Sequence, residues 1–429
     1  MSTSWIVRNG TLLDPATGVQ ERGDLFIADG HSVDSAPQRA REIDASGLTV
    51  MPGLIDVHVH FREPGHEGTE TIATGSHAAA RGGFTTVVTM PNTRPSVDTP
   101  EQVRFQLERA AAAGAVELLP SACITRERRG GELADLAGLH RAGAAAFTDD
   151  GSTVADDALM QRAMERSAEL GVPIMDHALD PILAGRGVLH DGEAAQRLGL
   201  PGIPAEAEDK IVARDIELAA STGCAMHIQH VTSGTSARLI ADAAARGLPV
   251  SGEATPHHLA LSDADITTDD GNFKMNPPLR SPADREALIQ GILDDSLSVL
   301  ATDHAPHLES LKAKGILKAP FGVVGLETAI GVTYQVLVVE RGMNVLDWLR
   351  RWTAGPAALL GRPCPSLAPG SRADIVLADL QSEWVVNPSE FLSLSLNTPF
   401  AGRHCRGQAV LTLKSGRITW AGVDMASGL

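Results

Sequence analysis

Eight apolar, β-branched runs recur through the middle of this 429-residue chain, at 54–60, 85–91, 116–124, 144–151, 172–178, 225–232, 248–256 and 297–306. Ala-rich amphipathic stretches separate most of them. Those at 101–114, 155–171, 210–223 and 235–247 read as helices, and each ends in glycine, the expected C-terminal stop. Strand–helix alternation sustained over about 250 residues predicts a parallel (β/α)8 TIM-like barrel. A doubly wound open sheet is the rival. It would carry a Gly-x-Gly-x-x-Gly phosphate loop after its first strand, and none stands there.

Both ends of the chain have a different texture. Short β-like runs carry turn pairs, Asn9-Gly10 after Trp5 and Asp29-Gly30 after Asp24, and both pairs read as hairpin turns. Similar runs return at 373–378 and 409–416. The expectation is a small β-sandwich-like domain built from residues 1–50 and 363–429 around a barrel of 51–362. Four scattered cysteines without a C-x-x-C pair read as reduced, buried thiols in a cytoplasmic protein. The start, Met1-Ser-Thr-Ser-Trp5, shows no export signal, and no run is long enough to span a membrane. A formal charge of −17 and 3% aromatic residues argue against nucleic-acid and anionic-membrane partners, which need basic surfaces or stacking platforms. One local arginine suffices for a small anionic substrate.

Chemistry is concentrated at the ends of the predicted strands. In the first, Asp56-Val-His58-Val-His60-Phe-Arg62, alternation puts His58 and His60 on one face. At the C-terminal mouth of a barrel, two neutral imidazoles make a good metal site. Later strands end in similar residues: Asp149-Asp150, Asp176-His177, His227-Ile-Gln-His230 and Asp303-His304-Ala-Pro-His307. Scattered core histidines have no reason to favour that end. Arg62, read as continuing the same strand face, is the natural fork for a substrate carboxylate. Lys312, Lys314 and Lys318 read as a solvated loop.

These residues, with the stretches Pro52–Gly65, Met90-Pro-Asn-Thr93, Phe147–Gly151, Phe273–Arg280, Ala301–His307 and Pro320–Thr328, resemble the amidohydrolase superfamily, and within it the dihydroorotases of the long bacterial type. The resemblance covers essentially the whole chain. It implies two zinc ions per subunit, with His58 and His60 on one, His177 and His230 on the other, and Asp150 bridging them in place of the superfamily's frequent carboxylated lysine. It assigns Asp303 to the metal site as proton shuttle for metal-activated hydroxide. Arg62, Asn92 and His307 would hold a carboxylate, and Asn276 with the backbone at Phe321-Gly322 the ring amides.

The implied reaction is reversible cyclisation of N-carbamoyl-L-aspartate to (S)-dihydroorotate in pyrimidine synthesis, with closure taking up a proton. The implied assembly is a homodimer, in some relatives complexed with aspartate transcarbamoylase. Two alternatives are weighed against it. Hydantoinases and allantoinases usually have the lysine bridge and lack the Arg62/Asn92 pairing. Non-catalytic partners of the transcarbamoylase typically lose metal ligands, and here none of the six positions is missing.

Overall fold

The computed structural model describes residues 4–426. Eight short parallel strands form its centre, in spatial order matching chain order: Leu54–Val59, Phe84–Thr89, Glu117–Ala122, Ala146–Phe147, Ile174–Asp176, Met226–Ile228, Val250–Ala254 and Val299–Leu300. Each falls on one of the predicted runs, the second beginning one residue early at Phe84. A parallel bridge between Val59 and His304 joins first to last, and His60 N donates to His304 O at 2.8 Å. That closes the barrel. A second tie lies just below, where Asp56 accepts from His58 N, Thr302 N and Thr302 Oγ1.

The helices stop where the glycines predict. Pro100–Ala113, Asp157–Leu170 and Glu206–Thr222 end at Gly114, Gly171 and Gly223, whose φ values of 68°, 66° and 69° suit a residue without Cβ. Thr99 and Asp156 accept backbone N–H bonds at the start of the first two, satisfying donors that no helical carbonyl can reach. Small buried side chains, Ala78 to Ala80 among them, let the helices lie close to the strands.

Both ends of the chain share one sheet of eight strands. Trp5–Asp14 pairs with Val19–Ala28, Arg41–Asp44 and Thr49–Pro52, and Thr49–Pro52 pairs antiparallel with Ile375–Val385. Alternate residues Val7, Ile27, Val50, Ile375 and Leu413 pack into the sheet's own core. Met51, Val376 and Ala409, from the opposite face, join the barrel cluster instead. The sheet is thereby a layer with two buried faces, and Thr412 Oγ1 donates to Ala80 O at 2.7 Å across the junction.

One turn assignment is corrected. Asp29-Gly30, with φ of 51° and 78°, does turn the chain into His31–Val33. Asn9-Gly10 does not turn it. Strand Trp5–Asp14 runs through the pair, which is absorbed as a bulge between Val7 and Gly10. Pairing with Val19–Ala28 on both sides of the bulge keeps the chain in the sheet.

Candidate metal centre

The barrel brings the strand-end residues to one mouth. His58 is the penultimate residue of the first strand, and His60 lies just past its end. Asp150 and His177 follow the fourth and fifth strands, and His230 and Asp303 follow the sixth and eighth. His230 and Asp303 have φ of 32° and 46°. That left-handed backbone costs roughly 1–2 kcal/mol for residues with a Cβ, and it turns both side chains inward as their strands end.

Two trios result, His58–His60–Asp150 and Asp150–His177–His230, each with ligand atoms within 4.8 Å of one another and all residues buried. Asp150 belongs to both. Its Oδ1 lies 3.3 Å from His58 Nε2 and 3.7 Å from His177 Nδ1, while Oδ2 lies 3.6 Å from His60 Nε2. Asp303 Oδ1 is 3.0 Å from His60 Nε2 and 3.5 Å from His58 Nε2.

The donor chemistry fits a divalent cation. His58 Nδ1 donates to Glu253 Oε1 at 2.6 Å, so Nε2 is the nitrogen left to face the cluster; against the cost of burial, the carboxylates of Glu253, Asp303 and Asp150 hold the ring's pKa well above its ordinary value. That Nε2 is buried without a hydrogen-bond partner and faces two carboxylates. A ring nitrogen aimed at two anions calls for positive charge there, a proton on the ring or a metal ion in its place. His230 Nδ1 is likewise buried and unpartnered. Burial works against charging Asp303 and Asp150, but the imidazoles of His58 and His60 hold both carboxyls below their ordinary range. Both are therefore anionic at neutral pH.

Glu253 is the residue that strand-end reasoning missed. It accepts from His58 Nδ1, from His227 Nε2 at 3.0 Å and from His230 N at 3.0 Å, and so orients one residue of each trio. Its only trace in the sequence is that it is the one charged residue in the seventh run, 248–256. Glu253→Gln is expected to weaken metal retention about 10–100-fold, the usual cost of losing such an outer partner; a chelator competition titration measures it. His227 stays behind the site, between Glu253 and Ser251.

The trios open on a cavity of about 180 Å³ lined by His60, Asp150, His177, His230 and Asp303, and also by Arg62, Asn92, Asn276, His307, Phe321 and Gly322. All six expected substrate contacts thus reach one space. Arg62 gets there by another route than expected. The strand ends at Val59, and Arg62 has φ 55°, so a sharp turn rather than strand parity delivers it. Its Nε donates to Pro306 O at 3.2 Å, and among the described residues no carboxylate pairs with it.

Asn92 is held at both ends of its amide, by His60 Nδ1 at 3.0 Å and Asp150 Oδ2 at 3.2 Å. Asn276 Nδ2 lies 3.0 Å from His177 Nε2, and its Oδ1 is buried without a partner. His307 Nε2 donates to Phe321 O at 2.7 Å. Burial, with Arg62 and Lys312 nearby, lowers the His307 pKa to about 2, so it is neutral. Gly322 has φ 126°, and a Cβ there would stand 2.6 Å from Ala305 Cβ.

The neighbours of these residues face elsewhere. Asp149 accepts from Ile124 N and Thr125 N, bracing the end of the third strand. His304 turns away from the cluster, toward Glu70 and the backbone N–H of Gly325. Lys314 and Lys318 are exposed, but Lys312 is buried, which corrects the reading of that run as a solvated loop.

The L-hydantoinase (dihydropyrimidinase) of Arthrobacter aurescens has this fold, with a TM-score of 0.85 and 26% identity over 98% of this chain and 96% of its own. A dihydropyrimidinase from Brevibacillus agri NCHU1002 reaches the same TM-score at 22% identity, over 98% of this chain and 95% of its own, a likeness of fold alone. Barrel and cluster together define an amidohydrolase. A family profile described as Dihydro-orotase-like matches residues 47–236. The dihydroorotase of Geobacillus sp. (strain WCH70) is 47% identical over 420 residues, 97% of this chain and 98% of the relative. That of Bacillus caldolyticus is 48% identical over 387 residues, 90% of each. The chain belongs to the dihydroorotase family.

Proposed function

We propose that this protein interconverts N-carbamoyl-L-aspartate and (S)-dihydroorotate in pyrimidine synthesis, with two zinc ions per subunit shared by Asp150. The observation that carries this reading is the pair of trios meeting at one carboxylate beside a partly buried guanidinium without an anion. Imidazole nitrogens with carboxylate oxygens suit zinc. A divalent cation bound there acidifies water and polarises a carbonyl.

The chain's own residues do the rest. Arg62 binds the substrate's spare carboxylate as a bidentate fork, and neutral His307 flanks it without adding charge. Asn276 Oδ1, lacking a partner, accepts from a ring N–H, while Asn92 keeps its place by bonding His60 and Asp150. Fixing both ends of the substrate holds the reacting carbonyl over the cluster. In hydrolysis Asp303 takes the proton of the attacking water and gives it to the departing ring nitrogen. In cyclisation it takes the proton from the attacking ureido nitrogen and passes it to the departing carboxylate oxygen, which leaves as water with a second proton taken up from solvent.

A substrate panel tests the assignment. The metal-loaded protein is expected to turn over dihydroorotate and to leave hydantoin and allantoin essentially untouched; turnover of the latter two alone would overturn it. Arg62→Met is expected to raise KM for dihydroorotate about 10–100-fold, the loss of a charge-assisted pair, with a smaller change in kcat. Steady-state kinetics check this.

The same proposal places the enzyme in the cytoplasm as a homodimer, alone or bound to aspartate transcarbamoylase, as the family resemblance implies. Among the described residues no helix is long and apolar enough to cross a membrane.

A further inference from the structure

Lys312 is a lysine with almost no access to water, at 2% exposure, and no carboxylate within bonding distance among the described residues. Its Nζ donates instead to backbone carbonyls: Lys274 O at 3.0 Å, Pro320 O at 3.1 Å and Gly322 O at 2.7 Å. Burying an ammonium is expensive, and full use of its three protons is what makes the position tenable. A neutral amine has two protons and a lone pair, which would repel the third oxygen.

Those carbonyls belong to two segments that are remote in the chain. Lys274 lies two residues before Asn276, and Pro320 and Gly322 flank Phe321. Asn276, Phe321 and Gly322 form the cavity wall to which the proposed reaction assigns the ring amides. Other bonds strengthen the junction. Gly322 N donates to Lys274 O at 3.0 Å, and Asn397 Nδ2 donates to Gly322 O and Ala305 O, both at 3.1 Å. Lys274 Nζ stands 4.4 Å over the Phe321 ring. Lys312 is the cationic hub of this wall and does not itself line the cavity.

We propose that Lys312 is a positioning residue for substrate binding, whose ammonium draws the Lys274–Asn276 and Pro320–Gly322 segments together and so sets the spacing of the groups that grip the ring. The inference rests on the cyclic-amide reading of the site. Lys312 touches neither substrate nor metal ligand, so its loss acts on the fit of the substrate and not on proton transfer.

The charges facing Lys312 make the hub sensitive to pH. Burial, reinforced by the neighbouring Lys274 and opposed by Asp270, brings the Lys312 pKa down to about 7. His307, on the next segment, is neutral and adds no charge. As pH rises through neutrality the ammonium gives up its third proton, and one of the three carbonyls loses its donor.

The test compares wild type with Lys312→Met, which keeps the length and apolar stem, and with Lys312→Gln, which restores two donors. Lys312→Met is expected to raise KM for dihydroorotate about tenfold or more, the loss of a charged hydrogen-bond hub, with kcat within about threefold and metal content unchanged. Lys312→Gln should fall between Met and wild type. In wild type KM should climb above neutrality, and in Lys312→Met that climb should be missing. An unchanged KM, or a fall in kcat at constant KM, overturns the proposal. Failure of both variants to fold also overturns it, by making Lys312 a residue of stability alone. Absence of dihydroorotate turnover in wild type would instead refute the functional reading on which the inference stands.

Discussion

Asp303→Asn is expected to lower kcat for dihydroorotate about 10²–10⁴-fold, the usual contribution of a positioned acid–base group, while metal content stays near that of wild type. The asparagine keeps the shape and one oxygen but has no basic site for a proton. His58, His60, Asp150, His177 and His230 all remain, so the trios survive the change. Rates at saturating substrate, with metal analysis of the same preparation, provide the check. Near-normal turnover would remove Asp303 from proton transfer. A parallel loss of metal would make it chiefly a ligand.

Asp150→Ala should act in the opposite order, on metal first. Asp150 belongs to both trios, and its oxygens lie within 3.9 Å of ring nitrogens of His58, His60, His177 and His230. Without it four imidazoles face one another around Asp303 alone. Metal retention should fall by two orders of magnitude or more, on the scale of losing a ligand rather than an outer partner, and turnover should fall with it. Dialysis against a graded chelator followed by metal analysis measures the effect, with circular dichroism to verify the fold. A variant that keeps its metal would place the bridge elsewhere.

Much of this arrangement is visible in the amino acids because the two periodicities are physical. Strand runs ending in ligand-type residues can be read one by one, and the barrel puts those ends on one rim whatever the helices do. The glycines at 114, 171 and 223 mark helix ends because each adopts a left-handed conformation. What stays hidden depends on partners remote in the chain. Glu253 is an unremarkable glutamate until His58 and His230 arrive beside it. Lys312 looks like its exposed neighbours Lys314 and Lys318, because its partners are carbonyls, and a carbonyl has no letter in a sequence. Asn9-Gly10 has turn chemistry, but longer-range pairing on both sides overrides it. Arg62 reaches the expected cavity through a backbone turn, not through the alternation that suggested it.

The bridge between Val59 and His304 has a consequence for how the protein is made. All four histidines of the trios, and the aspartate they share, leave the ribosome well before the segment that completes the ring. Until then the first strand has no neighbour on its open side, because its partner there is the stretch at His304. A product terminated before that segment would carry the four histidines and the aspartate they share, yet lack both Asp303 and the strand that closes the ring around them.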